Sequence, residues 1–276
     1  FKISTICVIM FLGGTNMLYI HENNFKNKIH NNYGGIGEKI KEFYENVYLE
    51  TKMKLLAFDF SNLNENTFKE ATEVINNYYT KLNVFTRENN ITSQSKFRST
   101  FLEELSTYLF QDNKYIKNGE LGIYNKGIYA GIKIGNDLKV NIMKKDIDFC
   151  IGKKVSIKIE NDIFEIILPI IAVEVKTYLD ATMFGEVQFS SKLLKSATPN
   201  VKTYVLMETN QVGNDKIISA RYDKILDEMF VLRFNEKSLI DYTVLKDYFN
   251  QISKDIENIA IERKVYTPGR LINVEK

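Results

Sequence analysis

A carboxylate and an ammonium group lie two residues apart at the end of an apolar run, Pro169-Ile-Ile-Ala-Val-Glu-Val-Lys176. Such a run is typical of a buried strand, and side chains at positions i and i+2 of a strand share one face. Glu174 and Lys176 are therefore predicted to point in the same direction. Because a buried charge is costly unless it is paired or binds a metal, the two residues indicate a functional site. Their chemistry is typical of a metal-dependent phosphodiesterase.

A second acidic segment precedes this strand. Polar and apolar residues alternate along residues 145–151, which predicts a strand with two unlike faces. One face carries Asp146, Asp148 and Cys150, and the other carries Ile147, Phe149 and Ile151. Carboxylates from two neighbouring strands are hard oxygen ligands of the kind that Mg²⁺ prefers. The spacing Glu-x-Lys also occurs at 50–52 and 262–264, but there it lies in polar, helix-like surroundings.

The order of an Asp, a variable gap and Glu-x-Lys on an apolar strand resembles the PD-(D/E)xK nuclease superfamily. Three segments resemble those of type II restriction endonucleases: Ser99-Thr-Phe-Leu-Glu-Glu104, Asp146-Ile-Asp-Phe149 and Ala172-Val-Glu-Val-Lys-Thr-Tyr-Leu-Asp180. The resemblance is strongest to the Bpu-type enzymes, which cut an asymmetric site with two non-identical subunits, and it extends from Gln94 to Thr209. It implies an α/β (α+β) fold with a restriction-endonuclease-like αβββαβ core and an N-terminal helical part.

The resemblance gives roles to individual residues. Asp148 and Glu174 would bind Mg²⁺ through carboxylate oxygens, with the Val175 carbonyl as a further ligand. Lys176 would stabilise the attacking hydroxide or the charge that develops on the phosphorane. No proline precedes Asp146 or Asp148, so either can be the metal ligand; we favour Asp148, with Asp146 as its structural neighbour. The alternatives are an ion pair on an edge strand and a lysine that extends out of a strand end.

The resemblance also implies an acidic residue from the first helix of the core. Glu104 is preferred for this role over Glu103. The alternative is that both glutamates are simply solvated on an amphipathic helix. Gln188 lies on the helix after the active strand and would orient water or phosphate, although a polar helix face explains it equally well.

These assignments imply Mg²⁺-dependent, site-specific hydrolysis of double-stranded DNA, with Mg²⁺ as the cofactor. The implied partners are DNA, either a second, non-identical nuclease subunit or another copy in a homodimer, and a cognate DNA methyltransferase encoded nearby. Two alternatives stay open. One is a structure-specific repair or recombination nuclease of the same superfamily, and the other is a non-catalytic DNA-binding subunit that keeps the fold.

Other catalytic classes find few suitable residues. The two histidines, His21 and His30, lie in an Asn- and Lys-rich stretch that is predicted to be a loop. Histidine-centred nucleases, Ser-His-Asp hydrolases and His-rich metal sites are therefore disfavoured. Cys7 and Cys150 are too few and too distant for a zinc ribbon or a disulfide framework. No glycine-rich phosphate loop occurs in the sequence.

The net charge of +2 does not by itself indicate nucleic-acid binding. Lysines nevertheless crowd the segment that leads into the predicted site, where they could contact phosphates. They are Lys114, Lys117, Lys126, Lys133, Lys139, Lys144, Lys145, Lys153, Lys154 and Lys158. A solvated β-surface carries similar residues, so the charge distribution supports DNA binding without requiring it.

The first residues are interpreted separately. Lys2 and the apolar stretch 3–12 are similar to a short signal-peptide core, too short to span a bilayer. Alternatively, residues 1–16 are an untranslated leader read in frame, with Met17 as the true start, which is the interpretation that we favour. A cytoplasmic protein with no membrane partner is expected.

The remaining chain divides into two predicted parts. Helical spacing over 37–60 and 62–82 predicts a helical N-terminal region at 17–92, and the nuclease domain is predicted at 93–276. Its first element is a helix capped by Ser93 or Ser95 and ending at Phe110, followed by successive strands from 128 to 176 with turns at 135–137 and 160–162. A helix at 182–197, strands at 201–208 and 228–234, and an amphipathic helix at 243–263 complete the domain.

Overall fold

The computed structural model describes residues 18–61, 64–137, 139–159 and 162–260; the predicted leader at 1–16 lies outside them. The helices are α1 (Ile20–His30), α2 (Gly37–Phe43), α3 (Leu49–Leu56), α4 (Glu65–Glu88), α5 (Phe97–Phe110), α6 (Lys114–Lys117), α7 (Ala181–Ala197), α8 (Asn214–Asp223) and α9 (Tyr242–Ala260). The strands are β1 (Gly122–Tyr124), β2 (Ile128–Ile134), β3 (Val140–Lys145), β4 (Phe149–Ile159), β5 (Asp162–Leu179), β6 (Lys202–Asn210) and β7 (Glu228–Val231).

Five strands form a mixed sheet in the order β1-β4-β5-β6-β7. β4 is antiparallel to both β1 and β5, whereas β5, β6 and β7 are parallel. Parallel strands need a crossover connection, and α7 supplies it between β5 and β6. The predicted α/β fold with an N-terminal helical part is confirmed.

The hairpin of β2 and β3 differs from the prediction, because its strands pair with each other and form a separate two-stranded sheet. Ile128 and Ala130 of β2 lie in one apolar cluster with Ala172 of β5 and Leu194 of α7. The hairpin is therefore held by packing of its side chains rather than by hydrogen bonds to the larger sheet. The sequence pattern also did not predict β1, since a three-residue strand is too short to show alternation.

The two faces of the sheet pack against different helices. Alternate residues of β5, Ile171, Val173 and Val175, join an apolar cluster that contains residues of the N-terminal helices, α5 and α9. Ala172, on the opposite face of β5, packs with α7 and the hairpin. Since the first cluster contains residues on both sides of position 92, the helical region and the sheet share one core, and the domain boundary at 92/93 stays a prediction.

The two helices that border the predicted site, α7 and α5, begin in different ways. Asp180 follows β5 directly, and its carboxylate accepts hydrogen bonds from the main-chain N–H groups of Thr182 and Met183, at 2.9 and 2.8 Å. This is a typical N-cap, and it starts α7 immediately after the active strand. α5, by contrast, begins at Phe97 and not directly after Ser93 or Ser95; it follows Lys96, which has a left-handed conformation and no side-chain cap.

A bulge divides the β4–β5 pair. Between Ile151 and Gly152 of β4 the register shifts, and Gly152 pairs with Pro169. A Cβ atom on Gly152 would lie 2.4 Å from the Leu168 carbonyl oxygen, so only glycine fits this close approach. On one side of the bulge, residues 152–159 of β4 and 162–169 of β5 continue as a two-stranded ribbon. On the other side, residues 149–151 and 171–173 lie inside the larger sheet. The bulge thus separates the segment that carries the predicted site from the ribbon.

His21 lies in α1 and is completely buried, so the predicted loop around it is wrong. Its Nδ1 atom lies 2.8 Å from the hydroxyl of Thr100, and its Nε2 atom is hydrogen-bonded with the hydroxyl of Tyr78. Because the Thr100 hydroxyl donates to the Lys96 carbonyl, this arrangement suits a neutral imidazole with one donor and one acceptor nitrogen. Burial lowers the pKa of His21 well below its ordinary value.

Acidification is expected to destabilise the protein through His21. Its pKa is lowered by folding, so below about 6.5 the unfolded chain binds the extra proton and the free energy of unfolding falls as the pH falls. The slope that this histidine adds should approach 1.4 kcal/mol per pH unit, roughly. Urea denaturation of wild type, His21→Gln and the exposed control His30→Gln checks this. Equal pH slopes in all three proteins would contradict it.

None of the described helices combines the length and the apolar character needed to cross a lipid bilayer.

Candidate active site

Three charged side chains meet where β4 begins beside β5. The Lys176 ammonium lies 3.0 Å from Glu174 Oε2 and 3.4 Å from Asp148 Oδ2. The main-chain N–H of Val175 donates a hydrogen bond of 2.7 Å to the same oxygen of Asp148. The exposed fractions of the side chains are 28% for Asp148, 12% for Glu174 and 26% for Lys176. The structure thus brings together the two acids and the amine in a half-buried site that solvent can reach.

Strand geometry explains why these residues meet. Phe149 of β4 pairs with Val173 of β5 in antiparallel register, so the next pair outward is Asp148 with Glu174. Directly opposed residues of antiparallel strands have side chains on one face. Lys176 follows at i+2 and joins that face. Ile171, Val173 and Val175 of β5 are meanwhile turned into the core, which holds this part of the strand in place.

The charges of the site stabilise one another. Burial raises the pKa of Glu174; the ammonium of Lys176 opposes this rise, and Asp148 adds to it. Burial acts against the charge of Lys176, but attraction to Asp148 and Glu174 outweighs it, so the pKa of Lys176 is raised. Lys176 therefore stays protonated at neutral pH and can act as a fixed cation.

Glu103, rather than Glu104, is the glutamate of α5 that faces this cluster. Burial raises the pKa of Glu103 to about 8, with repulsion from Asp148 adding to the rise and Lys176 opposing it. Because Asp148 and Lys176 both act on this pKa, the carboxyl of Glu103 lies on the side of α5 that faces the cluster. A third carboxylate thus reaches the site from the helix, as the family resemblance implies, but one position earlier in the sequence than preferred.

The structure does not bring Glu104 to the cluster. Its side chain is completely buried among the N-terminal helices. Oε1 accepts hydrogen bonds from the hydroxyls of Tyr48, at 2.7 Å, and Tyr108. Oε2 accepts from the main-chain N–H groups of His21, at 2.8 Å, and Glu22, at 3.1 Å. Glu104 therefore links α5 to α1 and to Tyr48, the residue just before α3. This role is structural.

The helical spacing of α5 contained a signal for this distinction. Residues three or four positions away lie on the same side of a helix. Around Glu104 these include Phe101 and Tyr108, whereas around Glu103 they include Ser99 and Ser106. Glu104 thus lies on an aromatic stripe, and Glu103 lies on a stripe of small polar residues.

Asp146 and Ile147 lie outside the strand, which starts at Phe149. Asp146 is exposed, and its Oδ1 accepts a hydrogen bond of 3.0 Å from the main-chain N–H of Gly127. Ile147 packs in the apolar cluster of Cys150, not with Phe149, so the predicted alternation fails at this end of the segment. Among the described contacts, Asp146 shares no hydrogen-bond partner with Asp148 or Glu174.

The donor set suits a hard divalent cation. Within the described part of the chain, the second oxygens of Asp148 and Glu174 accept no hydrogen bond, so both are available as ligands. No group of three His, Cys, Asp or Glu side chains in that part of the chain is arranged to hold a metal. A cation bound by two carboxylates would need water, main-chain or phosphate oxygens as well, as Mg²⁺ usually does.

Two further predicted residues make no contact with the cluster through their predicted groups, among the described residues. Gln188 is half-buried on α7, and its side chain makes no hydrogen bond there. For Val175, the contact that the structure provides is the N–H bond to Asp148, so its carbonyl as a metal ligand stays a prediction.

A small cavity of about 50 Å³ lies next to Asp148. Asn125, Lys126 and Thr107 contribute to its wall. The side-chain oxygen of Asn125 is buried and has no hydrogen-bond partner within the described residues. The cavity is lined mostly by apolar side chains, is about the size of a water molecule or two, and has the Asn125 oxygen and Asp148 in its wall.

A mixed sheet between helical layers, with two acids and a lysine at adjacent strands, defines the restriction-endonuclease-like class of nuclease. The structure is similar to a solved chain of the native BbvCI A2B2 tetramer, with a TM-score of 0.69 and 17% identity, over 89% of this chain and 99% of that chain. At this identity the likeness concerns the fold.

A sequence model described as Bpu10I restriction endonuclease matches residues 94–254, which is more than half of the chain. The chain belongs to the Bpu10I restriction endonuclease family. This confirms the resemblance drawn from the motifs and extends it beyond Thr209. Among curated proteins, none matches the sequence significantly.

Proposed function

We propose that this chain is the catalytic subunit of a type II restriction endonuclease, which hydrolyses double-stranded DNA at a specific sequence with Mg²⁺ as cofactor. The observation that carries the proposal is the Lys176 ammonium within 3.0 Å of Glu174 and 3.4 Å of Asp148 on adjacent strands. Family membership adds that a nuclease is the expected enzyme.

In this proposal Asp148 and Glu174 hold the metal. The N–H of Val175 orients the carboxylate of Asp148 by its hydrogen bond of 2.7 Å. When bound, Mg²⁺ would polarise the phosphoryl group and lower the pKa of a coordinated water. Lys176, kept protonated by the two acids, stabilises the negative charge that grows on phosphate oxygens in the transition state. Since that charge is larger in the transition state than in bound DNA, Lys176 accelerates the chemical step.

Glu103 supplies the carboxylate from α5 in place of Glu104. Its pKa, raised to about 8 chiefly by burial, also responds to Asp148 and Lys176, so its protonation is coupled to the charges of the site. Glu103 would orient Lys176 or a water molecule next to the metal ligands. Asp146, which bonds to Gly127, has no part in binding the metal in this proposal.

A second nuclease subunit is part of this proposal. The structurally similar BbvCI is described as an A2B2 tetramer, which means that two kinds of chain occur in that protein. We propose that this chain also works with a non-identical partner, with a homodimer as the alternative. A cognate DNA methyltransferase would protect the host from the paired enzyme.

Digestion of plasmid DNA tests the function. With Mg²⁺ the chain, alone or with its partner subunit, should yield discrete fragments with reproducible ends, and EDTA should abolish cleavage because the metal is removed. Sequencing of the fragment ends would give the recognition site. A smear, or a preference for branched substrates, would instead favour a repair or recombination nuclease. DNA binding without cleavage under all of these conditions would identify a non-catalytic subunit.

A further inference from the structure

The base of the β2–β3 hairpin lies beside the carboxylates of the candidate active site. Gly127, just before β2, donates its N–H to Asp146 Oδ1 at 3.0 Å, just after β3. This bond closes the hairpin where it meets the larger sheet. A lysine stands next to each of the two bonded residues: Lys126 precedes Gly127, and Lys145 precedes Asp146.

Strand register places Lys145 on the side of the hairpin that faces β5. Lys145 pairs with Ile128, and paired residues share a face. Ile128 is completely buried and packs in one cluster with Ala172. Since Ala172 and Glu174 lie on the same face of β5, Lys145 extends toward Glu174. Burial raises the pKa of Glu174, and Lys145 is among the cations that oppose this rise.

The register of β1 places Lys126 next to Asp148. Tyr124 pairs with Cys150 in antiparallel register, so two residues further on Lys126 comes opposite Asp148. Lys126 and Asp148 also form parts of the same cavity wall. Lys126 is exposed to solvent, and its charge acts on Glu103 as well.

The ammonium groups of Lys126 and Lys145 make no ion pair within 4 Å and no hydrogen bond among the described residues. Other lysines of the sheet differ: Lys154 pairs with Glu165 at 2.7 Å, and Lys195 pairs with Asp227 at 2.7 Å. The site itself contains the two carboxylates of Asp148 and Glu174 and the single ammonium of Lys176, so in the absence of a metal it repels a phosphodiester anion unless further cations lie nearby. Unpaired lysines near the two carboxylates, Lys126 beside Asp148 and Lys145 toward Glu174, meet this need.

We propose that Lys126 and Lys145 bind backbone phosphates of the DNA on either side of the reacting phosphodiester, and that Asp146 positions both lysines by closing the base of the hairpin. The inference rests on the proposed function, because it takes the cluster of Asp148 and Glu174 as the place of reaction. Phosphate contacts of this kind fix the register of the duplex without reading its sequence.

Binding of a fluorescent DNA duplex by the full chain in EDTA tests the inference without cleavage. Lys126→Ala and Lys145→Ala should each weaken binding about tenfold, and each should reduce the slope of log K against log salt concentration by about one unit. Lys144→Ala and Lys154→Ala are matched controls and should leave both quantities unchanged. Lys144 is adjacent in sequence but lies on the opposite face of β3, and Lys154 is already ion-paired.

A second pair of variants tests the positioning role. Asp146→Asn keeps the oxygen that accepts the Gly127 hydrogen bond, whereas Asp146→Ala removes it; the two variants have the same charge. DNA binding should be weaker in Asp146→Ala than in Asp146→Asn, and Asp146→Asn should retain cleavage with Mg²⁺. Loss of cleavage in Asp146→Asn would assign Asp146 to the metal instead and overturn this part.

Wild-type affinity and salt slope in Lys126→Ala and Lys145→Ala would overturn the phosphate assignment. Equal losses in Lys144→Ala and Lys154→Ala would also overturn it, because the effect would then come from overall charge. Lysine-dependent binding by a chain that does not cleave would support this inference and contradict the proposed enzymatic function.

Discussion

Glu174→Gln and Lys176→Ala are each expected to abolish DNA cleavage while leaving the protein folded and able to bind DNA. Glutamine keeps the shape of the side chain but loses the charge that a divalent cation requires. Alanine at 176 removes the fixed cation next to the phosphate, a loss expected to slow the reaction by at least about 100-fold to 1000-fold. Both effects concern the chemical step, since most binding energy comes from other phosphate contacts.

The measurement is the rate of plasmid cleavage with Mg²⁺, together with thermal unfolding and DNA binding of each variant. Glu50→Gln is the matched control for Glu174→Gln, because Glu50 stands in another copy of the Glu-x-Lys spacing but is exposed on α3 and paired with Lys54 at 2.6 Å. Lys54→Ala is the corresponding control for Lys176. Cleavage at wild-type rates by Glu174→Gln and Lys176→Ala would dispose of the assignment of the site.

Alanine at the two adjacent glutamates of α5 should have opposite consequences. Glu104→Ala is expected to destabilise the fold, and Glu103→Ala is expected to remove activity from a stable protein. The pair provides a matched comparison, because the two residues are neighbours on one helix and undergo the same chemical change. The difference arises only from what their side chains contact.

The loss of stability at Glu104 follows from its hydrogen bonds. The carboxylate accepts bonds from the hydroxyls of Tyr48 and Tyr108 and from the N–H groups of His21 and Glu22. Alanine leaves these donors buried without an acceptor, and each unsatisfied group is costly. The free energy of unfolding should fall by about 3–5 kcal/mol, since several buried donors lose their acceptor at a cost of about 1–3 kcal/mol for each that stays unsatisfied. In a protein of this size the unfolding temperature should drop by roughly 6–15 °C.

Glu103 makes no hydrogen bond among the described residues, and its half-buried carboxylate lies in an environment that raises its pKa to about 8. Removing it therefore costs no satisfied contact, so the stability of Glu103→Ala should equal or slightly exceed that of wild type. Its cleavage rate should fall about 100-fold, because the helix-borne carboxylate of the site is lost.

Thermal unfolding and plasmid cleavage of both variants check this prediction. The rate for Glu104→Ala is measured well below its unfolding temperature, so that a loss of folded protein is not mistaken for a catalytic effect. An inactive but stable Glu104→Ala, with an active Glu103→Ala, would reverse the assignment and restore the preference drawn from the sequence.

Local patterns were sufficient for the longer strands and for the family. The apolar run 169–176 fixed a buried strand and placed Glu174 and Lys176 on one face, because side chains alternate along a strand whatever surrounds it. The motif order around it identified the restriction endonuclease family, which the match over 94–254 confirms. The main helices were likewise predictable from their apolar spacing.

Contacts between distant segments were not predictable in this way. The helix that contains His21 packs in the core, where the imidazole is hydrogen-bonded with Thr100 and Tyr78 and contacts aromatic rings. The polar, Asn-rich residues around His21 in the sequence do not indicate this burial, since it depends on partners far along the chain. The hairpin likewise forms its own small sheet because Ile128 packs on Ala172 and Leu194.

The sequence by itself determined the family, the class of fold and the two residues of β5 whose charges define the site. Only the tertiary structure decided which glutamate of α5 joins them, that Asp148 lies opposite Glu174, and that Asp146 closes a hairpin. The physical reason is the distance along the chain between interacting residues. Periodicity within one element sets the face on which a side chain lies. The group that it meets depends on the register and packing of elements that are distant in sequence.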